Sequence, residues 1–177
     1  GQLKASVWTM TKVNEIDTAR QLIKVADADT AIHYGKLVLA LGAEVIRPPI
    51  EGDGLALVYS MNDLLDYADF RTAVAKNNVK KVCIIGGGLI GCEYTNDLLN
   101  GGVEVEVVDP LGYCLPTLLP EPAGKAVQAA LEAKGAKFHF GPLVTAVNKA
   151  EKGVIVSLNN GETIAADIVL SAVGVRP

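Results

Sequence analysis

The stretch VCIIGGGLIGCEY, residues 82–94, constrains this chain more than any other. Four apolar-leaning residues run into three consecutive glycines, and then into the spacing of a helix's first turn. A backbone that bare, between a strand and a helix, suits a turn that must be tight and must let something approach closely. Gly86, Gly88 and Gly91 stand in the spacing G-x-G-x-x-G. With 18 glycines in 177 residues, that spacing arises by chance roughly 0.2 times in such a chain, so its neighbours have to carry the argument.

They do carry it. Residues 81–85 read as a strand and 89–99 as a helix, with Leu89 and Ile90 at its start. Residues 103–108 read as a second strand ending at Asp109, and 110–120 as a loop rich in Pro and Leu. Residues 121–134 form a helix with Ala126, Val127, Ala130 and Leu131 on one face and Gly135 as its stop. A third strand follows at 136–140. The β-α-β-α-β order predicts an α/β fold, a Rossmann-like doubly wound parallel sheet with right-handed crossovers. In that frame each glycine has a task. Gly86 makes the turn off the strand, Gly88 lets the backbone approach a pyrophosphate, and Gly91 lets the helix pack on the strand. The helix then aims free N–H groups and its positive dipole end at the phosphates. Asp109 lies 23 residues after Gly86, close to the roughly 20 expected of the acid that binds ribose hydroxyls. A carboxylate there favours NAD(H) over its 2′-phosphorylated analogue. The competing reading is a strand-to-helix turn that needs glycine for packing alone.

The remaining segments frame this unit. Val7, Trp8, Val13, Ile16, Leu22, Ile23, Val25, Ile32 and Tyr34 are apolar points in an antiparallel meander, with turn chemistry from Asn14, Asp17, Asp27 and Asp29. The unbroken run 37–41, ended by Gly42, predicts a strand buried on both faces. RPPIEGDG, residues 47–54, is loop, with Arg47 solvated. Ser60-Met-Asn-Asp63 predicts a capping box ahead of a helix over 61–75, with Leu64, Leu65, Ala68, Ala73 and Val74 at helical spacing. Strands at 144–148 and 154–158 are followed by a turn at Asn159-Asn160-Gly161, and a buried strand fills 168–173. A meander plus a buried strand ending in glycine thus occurs twice, over 5–42 and over 144–174.

Composition narrows the class. The chain is half hydrophobic, with only 5% aromatics, which suits aliphatic helices on buried strands. A net charge of −4 argues for neither nucleic acid nor an anionic membrane as partner. No apolar run nears the roughly 18 residues of a spanning helix. Cys83, Cys92 and Cys114 lack metal spacing and read as buried free thiols, which points to a reducing cytoplasmic setting. His33 and His139 sit in strand-like runs and read as structural. The chain opens without Met and stops after an apolar run, so a piece of a longer protein is expected.

YGKLVLALGAEVIRPPIEGDG, VCIIGGGLIGCEYTNDL and ADIVLSAVGVRP resemble the pyridine nucleotide–disulfide oxidoreductase family, along essentially the whole chain. The resemblance implies a flavoprotein in which an NAD domain is inserted into an FAD domain of similar build. Residues 1–60 would then be part of the FAD domain, 61–78 a connecting helix, and 79–177 the NAD(H)-binding domain. It implies that Ala40 and Gly42 approach FAD; the family's usual Thr is Leu41 here. It places Glu93 near nicotinamide and flavin, and Gly174 beside the nicotinamide. The implied reaction passes electrons from NADH through FAD to a rubredoxin-like small iron protein. The rivals are an NADH oxidase, disulfide-type or ferredoxin-type reductase of the same build, or a non-catalytic NAD-binding module. Since half of the flavin site is absent from this stretch, the chain alone is expected not to hold FAD.

Overall fold

The computed structural model describes residues 4–26, 30–76 and 78–177. The chain divides into two compact units, Gly1–Leu41 and Gly42–Pro177.

The first unit is the expected antiparallel meander, built of β1 (Val13–Asp17), β2 (Leu22–Val25) and β3 (Ala31–His33). Leu22 and Val25 are its buried side chains. Asp17 shapes the first turn, with its Oδ1 accepting the Arg20 N–H at 2.9 Å. Asn14 sits inside β1 rather than in a turn, where the register with β2 slips by one residue. A bulge absorbs it. Val7 and Trp8 form no strand and are exposed. Asp27 and Asp29 lie outside the described residues. The buried strand expected at 37–41 is not formed: Val38 and Leu41 are 84% and 86% exposed. An unbroken apolar run makes such a strand only where neighbours pair with both of its edges, and no described strand pairs with this one.

The second unit starts with β4 (Glu44–Val45), a 3₁₀ turn at Leu55–Leu57 and β5 (Val58–Ser60). Next come α1 (Leu64–Lys76), β6 (Lys81–Ile85), α2 (Leu89–Asn100), β7 (Glu104–Asp109), α3 (Glu121–Ala133) and β8 (Lys137–Phe140). The chain then makes β9 (Val144–Lys149), β10 (Val154–Leu158) and β11 (Thr163–Ala166), returns through β12 (Ile168–Ser171) and ends in β13 (Val175–Arg176). Five strands form one parallel sheet in the order β5-β12-β6-β7-β8. Strands β9 to β11 form an antiparallel sheet, and β4 pairs with β13.

Two-residue periodicity sorts the core into layers. Val82 and Ile84 of β6, with Val105 and Val107 of β7, pack with Phe70 of α1 and with Tyr94 and Leu98 of α2. Cys83, Ile85 and Val108 point the other way, onto Val147, Val156 and Ile164 of the antiparallel sheet. Glu106 shares that second face and is buried, paired with Lys81 Nζ at 2.6 Å and His139 Nε2 at 2.8 Å. Burial pushes the Glu106 carboxyl up, but hydrogen bonds from Lys81 and His139, with the charges of Lys81 and Lys137, hold it below the ordinary value. His139 is therefore a structural partner, as its strand position suggested.

Helix α1 begins three residues later than expected. Its cap is Asp63, whose Oδ1 accepts the N–H groups of Leu65 and Asp66, while Asp66 Oδ2 accepts the Asn62 N–H. The cap thus falls at Asp63 rather than Ser60, and the return bond from Asp66 reaches Asn62, one residue before the cap, instead of closing a capping box on Asp63 itself. Leu64 and Leu65 are exposed; Phe70 and Ala73 anchor the helix instead.

Residues 42–60 run through this unit. β5 is the outer strand of the parallel sheet, with Val58 opposite Val169. The segment 47–54 is laced to β9. Glu51 donates its N–H to Thr145 O at 3.0 Å and accepts the Val147 N–H at 2.8 Å, and Gly54 donates to Val147 O at 2.9 Å. Asp53 Oδ1 accepts the Lys149 N–H at 2.7 Å.

Candidate functional site

The parallel sheet reverses its winding at β6, with β7 on one side and β12 on the other. The crevice beyond the C-terminal ends of such strands is where open α/β sheets take ligands. Here the two strand ends are held together, the Ala172 N–H donating to Ile85 O at 2.8 Å. Gly86 follows β6 with φ +110°, and a Cβ on it would stand 2.6 Å from Ala172 O. Both the backbone angle and the close approach demand glycine. Gly91 packs against the turn from the helix side, and a Cβ there would run into the carbonyl oxygen of Gly86. Gly88 differs: a Cβ there would meet nothing within 4 Å. It borders open space, and it begins α2 without a side-chain cap. The N–H groups of Leu89 and Ile90 consequently have no partner within the helix.

A cavity of about 580 Å³ opens at this point, inside the roughly 300–1,000 Å³ range of small-molecule and cofactor sites. Gly86, Gly88, Leu89, Ile90, Asp109 and Gly174 all line it. Its other walls are mostly apolar and come from Pro48 and Ile50, from Pro110, Leu111, Pro116 and Thr117, from Leu143 and Val144, and from Ala172 and Val173. Among the described lining residues there is no Lys, Arg or His.

Asp109 closes β7 and is 7% exposed. Its Oδ2 accepts the Gly87 N–H at 2.6 Å, and its Oδ1 accepts the Leu111 N–H at 2.7 Å. The carboxylate therefore fixes the glycine turn as well as bordering the cavity. A carboxylate has about four acceptor positions, so each oxygen retains one. Gly87 is the node of the turn. Its carbonyl accepts the Leu115 N–H at 2.8 Å and the Cys92 thiol at 3.3 Å. Cys92 also packs with Cys114, and the interaction of the two thiols lowers the Cys92 thiol and raises that of Cys114. All three cysteines are free and buried. Burial pushes Cys83 up to about 12, the Glu106 charge adding to the effect and Lys81 opposing it.

Three predicted residues stand apart. Glu93 is exposed on the flank of α2 and lines a separate hollow with Tyr67, Tyr94, Asn96 and Asp97. Ala40 belongs to the first unit and does not line the cavity. Gly42 is exposed, with φ +72° and open space at its Cβ position. Sequence reasoning missed Gly87, Leu115, Leu143 and Val144. The middle glycine of the triplet was a visible signal for the first. The others depend on a backbone angle and on the return of β9, which no local pattern announces.

This is the architecture of a Rossmann-type dinucleotide-binding unit. The chain belongs to the pyridine nucleotide-disulphide oxidoreductase family, which it matches over residues 1–177, so the resemblance read from its motifs holds. It is 49% identical over 177 residues to a rubredoxin-NAD(+) reductase of Alcanivorax borkumensis, covering 99% of this chain and 45% of that one. It is 38% identical over 167 residues to a nitric oxide reductase FlRd-NAD(+) reductase of Aliivibrio fischeri, covering 94% and 43%. A ferredoxin reductase structure from Rhodopseudomonas palustris superposes with a TM-score of 0.81 at 26% identity, covering 94% of this chain and 41% of its own. The chain spans less than half the length of these curated relatives.

Proposed function

We propose that this chain is the NADH-binding part, with a portion of the FAD-binding part, of a flavoprotein reductase that passes electrons from NADH through FAD to a rubredoxin-type iron protein. The observation that carries the reading is the convergence, in one cavity, of the Gly86 turn, the bare start of α2 and the Asp109 carboxylate. The 49% identity to a rubredoxin-NAD(+) reductase supports the choice of acceptor.

The residues suit NADH. The free N–H groups of Leu89 and Ile90 face a pyrophosphate, assisted by a helix dipole equivalent to roughly half a positive charge. Gly88 leaves the phosphate room to approach. The spare acceptor positions on Asp109 take the adenosine ribose hydroxyls, and its charge repels a 2′-phosphate that no basic lining residue would offset. Gly174, with φ +101°, also lines the cavity and would border the nicotinamide. The apolar walls exclude water along the dinucleotide. Glu93, Ala40 and Gly42 would face the flavin in the whole flavoprotein. FAD, when bound, supplies the hydride acceptor that hands electrons on singly. The boundary expected at residue 60 is moved: residues 1–41 are assigned to the FAD-binding part and 42–177 to the NAD(H)-binding part, since β5 belongs with the parallel sheet, and Pro48 and Ile50 with the nucleotide cavity.

A second reading, a ferredoxin-type acceptor, draws on the 26% identity and shared fold with the ferredoxin reductase structure from Rhodopseudomonas palustris. Anaerobic mixing of the whole flavoprotein with NADH, then with rubredoxin or with a ferredoxin, tests both. Flavin bleaching by NADH and rapid reoxidation by rubredoxin are expected. Equal bleaching by NADPH, or reoxidation by the ferredoxin alone, would overturn the assignment.

A further inference from the structure

Part of the strap 110–120 forms one wall of the cavity, and its course is fixed from the side facing away from the cavity. Leu115 holds the strap to the glycine turn through Gly87 O, at a left-handed φ of +58°. Cys114, wholly buried, and Leu115 anchor it by their side chains in a cluster with Cys92 and Leu131. On the outer side runs α3. Its fourth residue, Gly124, is buried and interrupts the otherwise Ala-rich sequence EPAGKAVQAALEA. Glycine is a poor helix former, so the helix itself does not call for it. The strap does. A Cβ on Gly124 would run into the Cys114 carbonyl oxygen and the Tyr113 ring, whose Cε2 would stand 2.9 Å away.

We infer that Gly124 is a positioning residue for NADH. The space it leaves seats Tyr113 and Cys114 so that Leu115 reaches Gly87 while Pro116 and Thr117 line the cavity. The Tyr113 ring can swing aside, but the Cys114 carbonyl is backbone and can retreat only toward the cavity or by releasing Gly87. The inference rests on the NADH reading above and adds a residue outside every motif.

The test is Gly124→Ala in the whole flavoprotein, with steady-state kinetics, NADH titration and thermal unfolding. KM and Kd for NADH should rise about tenfold, with kcat at saturating NADH within about twofold and flavin content unchanged. Tyr113→Ala, which loosens the same contact without overfilling it, should raise KM about threefold at constant kcat. Gly124→Ala with unchanged KM and a raised melting temperature, the ordinary result of Gly→Ala in a helix, would overturn the inference. A fall in kcat at constant KM would do so as well. Should Gly124→Ala not fold, the Tyr113→Ala variant decides alone, and an unchanged KM refutes the role. A wild-type protein that binds no NADH would overturn the underlying reading, an outcome separate from a wild type that binds and a variant that does not differ.

Discussion

Replacing Asp109 by Asn isolates what the carboxylate does. The two side chains have the same shape, but Asn has one acceptor oxygen and one NH₂ donor. In the native turn both oxygens accept backbone N–H groups, from Gly87 at 2.6 Å and Leu111 at 2.7 Å, in a side chain that is 7% exposed. Asn can serve only one of them and sets a donor against the other. The retained bond also falls from charged to neutral, a loss of about 1 kcal/mol, and the orphaned donor costs about 1–3 kcal/mol more. Relief of a buried charge offsets part of this, leaving about 2–3 kcal/mol. For a unit of this size that corresponds to a fall of roughly 10 °C in melting temperature. Thermal unfolding without nucleotide measures it, and hydrogen exchange at the Gly87 amide locates it, because the clamp is present before any ligand binds. NADH affinity should fall with the loosened turn, while the preference over NADPH narrows as the charge is lost. An Asn variant that melts like wild type, with Gly87 equally protected, would refute the clamp and leave Asp109 as cavity lining only.

Other substitutions separate folding from binding. Gly86→Ala collides with Ala172 O at φ +110° and should cost at least about 3 kcal/mol in urea unfolding. Gly88→Val projects into open space, so it should leave unfolding nearly unchanged yet abolish detectable NADH binding in calorimetry. Glu106 is held below its ordinary value of 4.5, so its contribution is complete above that pH and is lost as pH falls through the lower folded value. Glu106→Gln should accordingly flatten stability against pH below 4.5 in acid unfolding followed by circular dichroism. Cys83, pushed up to about 12, should resist thiol reagents at neutral pH until the protein unfolds; rapid native-state labelling at Cys83 by peptide mapping would contradict its burial.

The central unit was legible because its signals are local. Residues 81–85, 89–100, 104–109 and 121–133 carry apolar runs, a glycine turn and helical spacing that agree with one another, and the structure places elements there. Failure came where pairing is distant. The run at 37–41 resembles a strand by composition, yet a strand exists only with a partner. β5 is three residues long with no period to detect, and it forms because Val58 to Ser60 meet β12 more than a hundred residues later. Leu64 and Leu65 fit helical spacing, but the helix turns Phe70 inward instead. The glycines of the cavity could be read from their interval. The bond from Asp109 to Gly87 could not, since it crosses two adjacent strands and exists only once they align.

The lacing of residues 47–54 onto β9 bears on how this module can be excised or transplanted. A cut at residue 79, where the glycine-bearing strand is about to begin, would look natural on a sequence map. It would discard Pro48 and Ile50 from the cavity, unpair the outer edge of β12 and strip α1, with Phe70, from its face of the sheet. A graft intended to carry nucleotide binding into another scaffold therefore has to begin near Gly42, because the recognition surface is discontinuous along the chain.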